Sequence, residues 1–93
     1  MNIFVRGYLT LAGMIPPGQL ALEEGTSLRG LLDLMASRGG QEFLASVFHP
    51  EHGLRAGVAV LVNGRSTAQS EAGLELPLED GDEVAIFPPL AGG

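Results

Sequence analysis

The spacing of hydrophobic positions changes along the chain, and it predicts the order of the secondary structure elements. Residues 2–9 are rich in Ile, Phe, Val and Tyr, which favour a first strand. Apolar and polar residues alternate over Gln19 to Glu23, which predicts a second strand with one buried face. The glycines and prolines of residues 13–18 predict the turn between them. We therefore expect these two strands to form a hairpin.

The spacing becomes helical after this hairpin. Apolar residues recur at intervals of three and four, which places them on one face of a helix. These residues are Leu28, Leu31, Leu32 and Met35. Residues 25–27 offer an N-cap, and we expect Gly39 and Gly40 to end the helix. Residues 41–48 predict a second, short helical segment, and residues 49–53 predict a loop.

The second half of the chain returns to strand patterns. Residues 57–62 are almost all apolar, which predicts a central strand covered on both faces. The dipeptide Asn63-Gly64 indicates a tight turn. A short edge element is expected over residues 74–78, a turn over 79–82 and a last strand over 83–87.

This order of elements predicts an α+β roll, in which a mixed sheet of about four to five strands curls around one helix. We expect the apolar face of the helix to pack on the inward side chains of the later strands. Those side chains are Val58, Val60, Val62, Val84 and Ile86.

Composition narrows the classes of function. A length of 93 residues predicts one domain, and the absence of cysteine excludes disulfides, zinc–thiolate sites and a thiol nucleophile. A net charge of −6 disfavours direct binding to nucleic acid. No apolar run is long enough for a membrane span, and the N-terminal segment does not resemble a signal peptide, so we expect a cytoplasmic protein with no membrane partner.

Other chemical sites are poorly supported. His49 and His52 flank Glu51, but Pro50 and Gly53 indicate a loop and no third histidine exists, so we predict no metal site. The serines lack a convincing base for a hydrolase triad. There is no lysine, and no glycine-rich phosphate loop ends in Lys-Ser or Lys-Thr, so we expect no bound cofactor. Any ATP would be used by a partner enzyme.

The end of the sequence carries the most specific chemistry. Pro88 and Pro89 favour a stiff, extended exit from the last strand, and the residues from Pro88 to Gly93 can reach roughly 20 Å. Gly92 and Gly93 have no side chains, so they can thread a narrow slot. A carboxylate at this tip is a poor electrophile until its leaving group is improved, for example by forming an acyl-adenylate.

Residues 80–93, D-G-D-E-V-A-I-F-P-P-L-A-G-G, resemble the C-terminal signature of the ThiS/MoaD sulfur carriers. The resemblance is closest to the small subunit of molybdopterin synthase. The Asn63-Gly64 turn and the helix opening T-S-L-R-G-L-L-D-L are also similar. The resemblance implies a ubiquitin-like β-grasp domain over residues 1–87, with residues 88–93 forming an extended diglycine tail.

The resemblance also implies the chemistry of the tail. Gly93 would be adenylated by a ubiquitin-activating-enzyme-like adenylyltransferase and converted to a thiocarboxylate, while Gly92 and Ala91 would thread the partner's active site. The expected partner contacts, which should be partly exposed, are Phe87, Pro88, Pro89 and Leu90. The chain would have no catalytic activity alone and would serve as the small sulfur-donor subunit beside the large subunit of molybdopterin synthase.

Two departures leave the pathway open. The first strand continues V-R-G-Y-L-T-L instead of an aromatic-then-arginine loop, and Leu90 stands where valine is usual. A sulfur carrier for thiamine, cysteine or tRNA thiolation is therefore an alternative, as is another sulfur-acceptor enzyme as partner. A ubiquitin-like modifier joined to lysines of other proteins, or a binding domain with an idle tail, also fits the pattern.

Overall fold

The first and last strands of the chain lie side by side at the centre of one mixed sheet. The structure is a computed structural model that describes residues 1–13, 18–49, 53–55, 57–67 and 73–89. The elements are β1 (Asn2–Gly7), β2 (Gly18–Ala21), α1 (Leu28–Val47), β3 (Phe48–His49), β4 (Gly53–Leu54), β5 (Ala59–Val62), β6 (Arg65–Ser66) and β7 (Glu83–Phe87). Short 3₁₀ helices span Leu9–Gly13 and Gly73–Glu75.

The five-stranded sheet has the order β2-β1-β7-β5-β6. β1 and β7 are parallel, whereas the β1–β2, β5–β7 and β5–β6 pairs are antiparallel. The strands β3 and β4 form a separate two-stranded pair. One helix packed on one face of a five-stranded mixed sheet confirms the predicted α+β roll.

The core lies between α1 and the inner face of the sheet. The predicted helix face is buried, and Leu28, Leu31 and Leu32 are fully so. The strands contribute Ile3, Val5, Val60, Val62, Val84 and Ile86, while Val58 is partly buried against the same cluster. Alternation along β1 explains this arrangement, because Ile3 and Val5 point inward while Phe4 and Arg6 point outward.

The helix begins where the sequence predicts and ends later. The Gly30 backbone N–H donates to the Ser27 hydroxyl oxygen at 3.2 Å, which is an N-cap bond. The prediction that Gly39 and Gly40 end the helix is wrong, because α1 continues to Val47 and absorbs the predicted second segment. A glycine inside a helix costs about 1 kcal/mol. Val47 is fully buried, so the core holds the far end of the helix and offsets this cost.

Three strand predictions need correction. β1 ends at Gly7, because Leu9 adopts a positive φ of 55° and opens a 3₁₀ helix. The apolar strand β5 is covered on one face only, since a single helix covers the sheet and Leu61 is half-buried on the other side. The central strand is β7, not β5. Of the predicted turn over residues 13–18, positions 14–17 lie outside the described residues. Positions 50–52 of the predicted loop over residues 49–53 do so as well, while His49 and Gly53 pair in β3 and β4 and are not loop residues.

The start of β7 is anchored by the predicted Asn63-Gly64 turn. Asn63 and Gly64 have φ angles of 52° and 82°, which is the geometry of a two-residue hairpin turn between β5 and β6. The Asn63 side-chain amide donates to Asp82 Oδ1 at 2.8 Å, and its Oδ1 accepts from the Glu83 N–H at 2.9 Å. The Asn63 N–H donates to the Glu83 carbonyl at 2.8 Å. The turn therefore fixes where β7 begins.

Candidate functional site

The strand that leads to the tail is held by hydrogen bonds on both sides. β7 pairs with β1 from Glu83 to Ile86 and with β5 from Val84 to Phe87. Beyond β1, the Tyr8 N–H donates to the Ile86 carbonyl at 3.0 Å. A central strand paired along its whole length cannot shift without breaking its neighbours' hydrogen bonds. The point from which the tail starts is therefore fixed relative to the sheet.

Phe87 is the last residue of this strand, and its side chain lies on the side of the sheet opposite the helix. Its ring stacks on the ring of Tyr8, with 4.4 Å between the ring centroids and 8° between the ring planes. Both residues are half-buried. The ring contact therefore ties the last residue of β7 to the residue that follows β1. Part of the Phe87 ring stays exposed and can contact another molecule.

The two prolines after Phe87 have different surroundings. Pro88 is buried, and Pro89 is exposed but lies against Gly57, in the turn before β5. The partial exposure expected of this segment therefore holds at Phe87 and Pro89 but not at Pro88. Leu90, Ala91, Gly92 and Gly93 lie outside the described residues, so the roles assigned to them stay predictions.

A band of apolar side chains surrounds Phe87 on the side of the sheet opposite the helix. We call this surface the outer face; it comprises Phe4, Arg6, Tyr8, Ala59, Leu61, Ala85 and Phe87. Strand register brings these residues together, because Arg6 lies beside Ala85, which in turn lies beside Leu61. Phe4 is 46% exposed, which is unusual for a large apolar side chain on a sheet.

The outer face contains a shallow groove and one positive charge. The groove has a volume of about 270 Å³ and is lined in part by Phe4, Arg6, Tyr8 and Ala85. Glu83 also lines it, at the end of β7 farthest from the tail. Sequence reasoning identified Phe87 but missed the rest of this face. The alternation in residues 2–8 was the available signal, because it places Phe4, Arg6 and Tyr8 on the side opposite Ile3 and Val5.

Other site types find no support in the part of the chain that the structure describes. Within those ranges, no three His, Asp or Glu side chains come together in a way that could hold a metal ion. His49 lies in β3, and His52 is outside the described residues. None of the helices in the described ranges is long and apolar enough to span a membrane.

Comparison with known proteins identifies the family. The ThiS family profile matches residues 10–93. The chain belongs to the ThiS family. A curated relative, a candidate sulfur carrier protein of Archaeoglobus fulgidus, is 32% identical over 84 residues, which are 89% of this chain and 93% of the relative. The resemblance in residues 80–93 therefore pointed to the correct family.

Solved structures confirm the ubiquitin-like β-grasp fold of this ThiS family member. SAMP1 of Haloferax volcanii, a small archaeal modifier protein, is 27% identical over all of both chains with a TM-score of 0.76. A candidate molybdopterin converting factor subunit 1 of Pyrococcus furiosus is 26% identical, covering 96% of this chain and 98% of its own, with a TM-score of 0.73. A chain in the BexX/CysO complex of Amycolatopsis orientalis is 25% identical, covering 98% and 99%, with a TM-score of 0.72.

Proposed function

We propose that the chain is a sulfur carrier whose terminal Gly93 carboxylate is adenylated by an activating enzyme and then converted to a thiocarboxylate. The observation that carries this proposal is the tail exit. The last strand of this ThiS-family fold is central and paired on both sides, and it ends beside the apolar outer face. The sequence then continues to the diglycine. This arrangement starts the tail at a fixed place, next to a surface that a partner can cover.

The chemistry needs two steps. First, a carboxylate oxygen of Gly93 attacks the α-phosphate of ATP, and pyrophosphate leaves with the electron pair of the broken P–O bond. Second, hydrosulfide released by a sulfur donor attacks the carbonyl carbon of the acyl-adenylate, AMP leaves with the electron pair of the broken C–O bond, and loss of the S–H proton gives the thiocarboxylate. The chain contains no cysteine, so the sulfur must come from a donor outside it. The chain binds no cofactor itself, and ATP belongs to the activating enzyme.

The activating enzyme is a ubiquitin-activating-enzyme-like adenylyltransferase that docks on the outer face. Phe87 is both a member of this face and the last strand residue before the tail, so a partner that holds the tail must also cover Phe87. Exposed aromatic side chains are frequent anchors of protein–protein interfaces. Phe4 and Tyr8 extend this surface away from the exit, and Pro89 extends it toward the tail.

The sulfur acceptor is most consistent with molybdopterin biosynthesis. The resemblance of residues 80–93 to the small subunit of molybdopterin synthase supports this pathway. The similarity to the candidate molybdopterin converting factor subunit 1 of Pyrococcus furiosus supports it as well. The chain would then act as the small sulfur-donor subunit of a synthase, with the large subunit as its second partner. The chain of the BexX/CysO complex shows that a protein of this fold is found in a complex with another protein.

Protein modification is the second candidate function. It is favoured by the similarity to SAMP1 of Haloferax volcanii, a small archaeal modifier protein. The two functions share adenylation and differ in the nucleophile that takes the acyl group, which is sulfur for a carrier and a lysine amine for a modifier. A role in thiamine synthesis, cysteine synthesis or tRNA thiolation would differ from molybdopterin synthesis only in the molecule that accepts the sulfur.

The test is ATP–pyrophosphate exchange catalysed by the activating enzyme from the same organism. The intact chain should support exchange, and addition of a sulfur donor should produce a thiocarboxylate. A chain that ends at Ala91 should fold with an unchanged melting temperature and support no exchange. Normal exchange by the shortened chain would refute the proposal. Exchange followed only by acyl transfer to lysines of other proteins would favour the modifier function.

A further inference from the structure

Gly57 makes an unusually close contact with the first exposed residue of the tail exit. A Cβ atom built on Gly57 would lie 3.2 Å from Pro89 Cβ, 3.4 Å from Pro89 Cα and 3.8 Å from Pro89 Cγ. The shortest of these distances is tighter than ordinary van der Waals contact between carbon atoms. A side chain at residue 57 would therefore require Pro89 to shift by a few tenths of an ångström.

Gly57 differs in this respect from the other glycines with the same backbone conformation. Its φ is +87°, a value that side chains disfavour. Gly25, Gly64, Gly73 and Gly81 also have positive φ, yet a Cβ atom on any of them would meet nothing within 4 Å. A turn alone explains a glycine at those four positions. At Gly57 the contact with Pro89 is a second and independent constraint.

The surroundings of Gly57 keep this contact in place. Gly57 lies in a turn closed by the Val58 N–H, which donates to the Arg55 carbonyl at 3.1 Å, and β5 begins two residues later. On the other side of the contact, Pro88 is buried and Phe87 is the last residue of the paired strand β7. Pro89 is thus confined by the fold behind it and by Gly57 beside it.

We propose that Gly57 is a positioning residue that seats Pro89 and thereby sets the direction in which the tail leaves the fold. This inference rests on the proposed function and deepens it. The residues from Leu90 to Gly93 span at most about 14 Å, so their reach into a partner depends on the position and direction of Pro89. The reacting carboxylate must come within about 3–3.5 Å of the α-phosphate, and a misplacement of about 1 Å can cost roughly a hundredfold in rate.

Loss of the contact between Gly57 and Pro89, which we call the seat, should therefore affect the rate of adenylation more than the affinity for the activating enzyme. Gly57→Ala places a methyl group against Pro89 and forces it to move, but the outer face around Phe4 and Tyr8 is unchanged. We expect the kcat of ATP–pyrophosphate exchange to fall about ten- to hundredfold. The Kd of the complex with the activating enzyme should stay close to that of the unmodified chain. Loss of the fold would instead weaken binding as well.

Gly81→Ala is the matched control for backbone strain. Gly81 has a φ of +88°, almost identical to that of Gly57, but its substituent would point into open space. Gly81 also lies in the turn before β7, at the end of the strand farthest from the tail. Both alanine variants should lose similar thermal stability from the positive φ. Only Gly57→Ala should lose kcat.

A second variant changes Pro89, the other residue of this contact. Pro89→Gly removes the ring from this contact, and we expect it to lower the kcat measured at saturating concentrations of the chain. Because the two residues touch, the double variant Gly57→Ala/Pro89→Gly should be no slower than Pro89→Gly alone. Three results would overturn the inference. They are normal exchange by Gly57→Ala, an equal loss of kcat in Gly81→Ala, and a kcat of the double variant that is lowered by the product of the two single fold-changes. Absence of exchange by the unmodified chain would refute the proposed function, and the role of the seat with it.

Discussion

Replacing Phe87 with alanine should weaken partner binding more than it weakens the fold. Truncation of a fully buried phenylalanine costs about 3–5 kcal/mol of folding free energy. Phe87 is half-buried, so we expect a loss of roughly 2 kcal/mol. Within this loss, the stack on Tyr8 accounts for about 0.5–1.5 kcal/mol. A double-mutant cycle of Phe87→Ala and Tyr8→Ala in denaturant unfolding should recover that coupling energy.

The same substitution should have a larger effect on docking. An aromatic anchor at the centre of an interface contributes about 2–4 kcal/mol, which corresponds to a roughly 30- to 1000-fold rise in Kd. The assay is titration of the activating enzyme by calorimetry, under conditions in which more than nine-tenths of each variant is folded.

Leu20→Ala is the control for lost stability. Leu20 is also half-buried, but it packs against the core side of the sheet and not on the outer face. It should lower stability by a comparable amount and leave Kd unchanged. Binding of Phe87→Ala as tight as that of the unmodified chain, or an equal loss of binding in Leu20→Ala, would show that Phe87 does not anchor the partner.

Three further substitutions test the core, the anchor of β7 and the tail. Leu31→Ala should cost about 2–5 kcal/mol in denaturant unfolding, because Leu31 is fully buried between helix and sheet; a loss below about 1 kcal/mol would contradict that placement. Asn63→Ala should cost about 1–3 kcal/mol, since it removes two side-chain hydrogen bonds to residues 82 and 83 and puts alanine at positive φ. Asn63→Gly, which tolerates that φ, should lose less. Gly92→Val should abolish ATP–pyrophosphate exchange while the melting temperature is retained, and normal exchange by this variant would show that no narrow slot is threaded.

Local patterns were sufficient to predict much of the fold. The interval of three and four residues between Leu28 and Met35 predicted the buried helix face, and Asn63-Gly64 predicted a two-residue turn. Both features depend on residues close together in sequence, so the chain itself carries the signal. The last strand was also predicted with its bounds and its inward side chains, because Val84 and Ile86 are two residues apart and therefore point to the same face of a strand.

The errors arose where distant parts of the chain decide the outcome. The helix passes through Gly39 and Gly40 because Val47 is buried, and helix propensity alone carries no information on that burial. β5 is as apolar as a fully covered strand, yet within the described residues α1 is the one α-helix that covers the sheet. Local sequence did not reveal that the outward residues of β1, β5 and β7 would form one apolar surface, because their register brings them together.

The same limit applies to the candidate site. The residues at the tail exit were recognisable from the Phe87-Pro88-Pro89 sequence and the diglycine that follows. The contact between Pro89 and Gly57 joins residues more than thirty positions apart, and a glycine in a turn gives no sign of such a partner. The structure therefore adds to the predicted exit a surface around Phe87 and a contact that holds Pro89.

The central claim concerns the chemical state of Gly93, and intact mass measurement of the chain from its own organism tests it most directly. Replacement of one carboxylate oxygen by sulfur adds about 16 Da, and fragmentation should assign that increase to Gly93. We expect a population that carries this increase, and alkylation of the thiocarboxylate sulfur should raise the mass of that population further, by the mass of the added alkyl group. Detection of only the unmodified carboxylate, in cells that are actively using the sulfur pathway, would contradict the account.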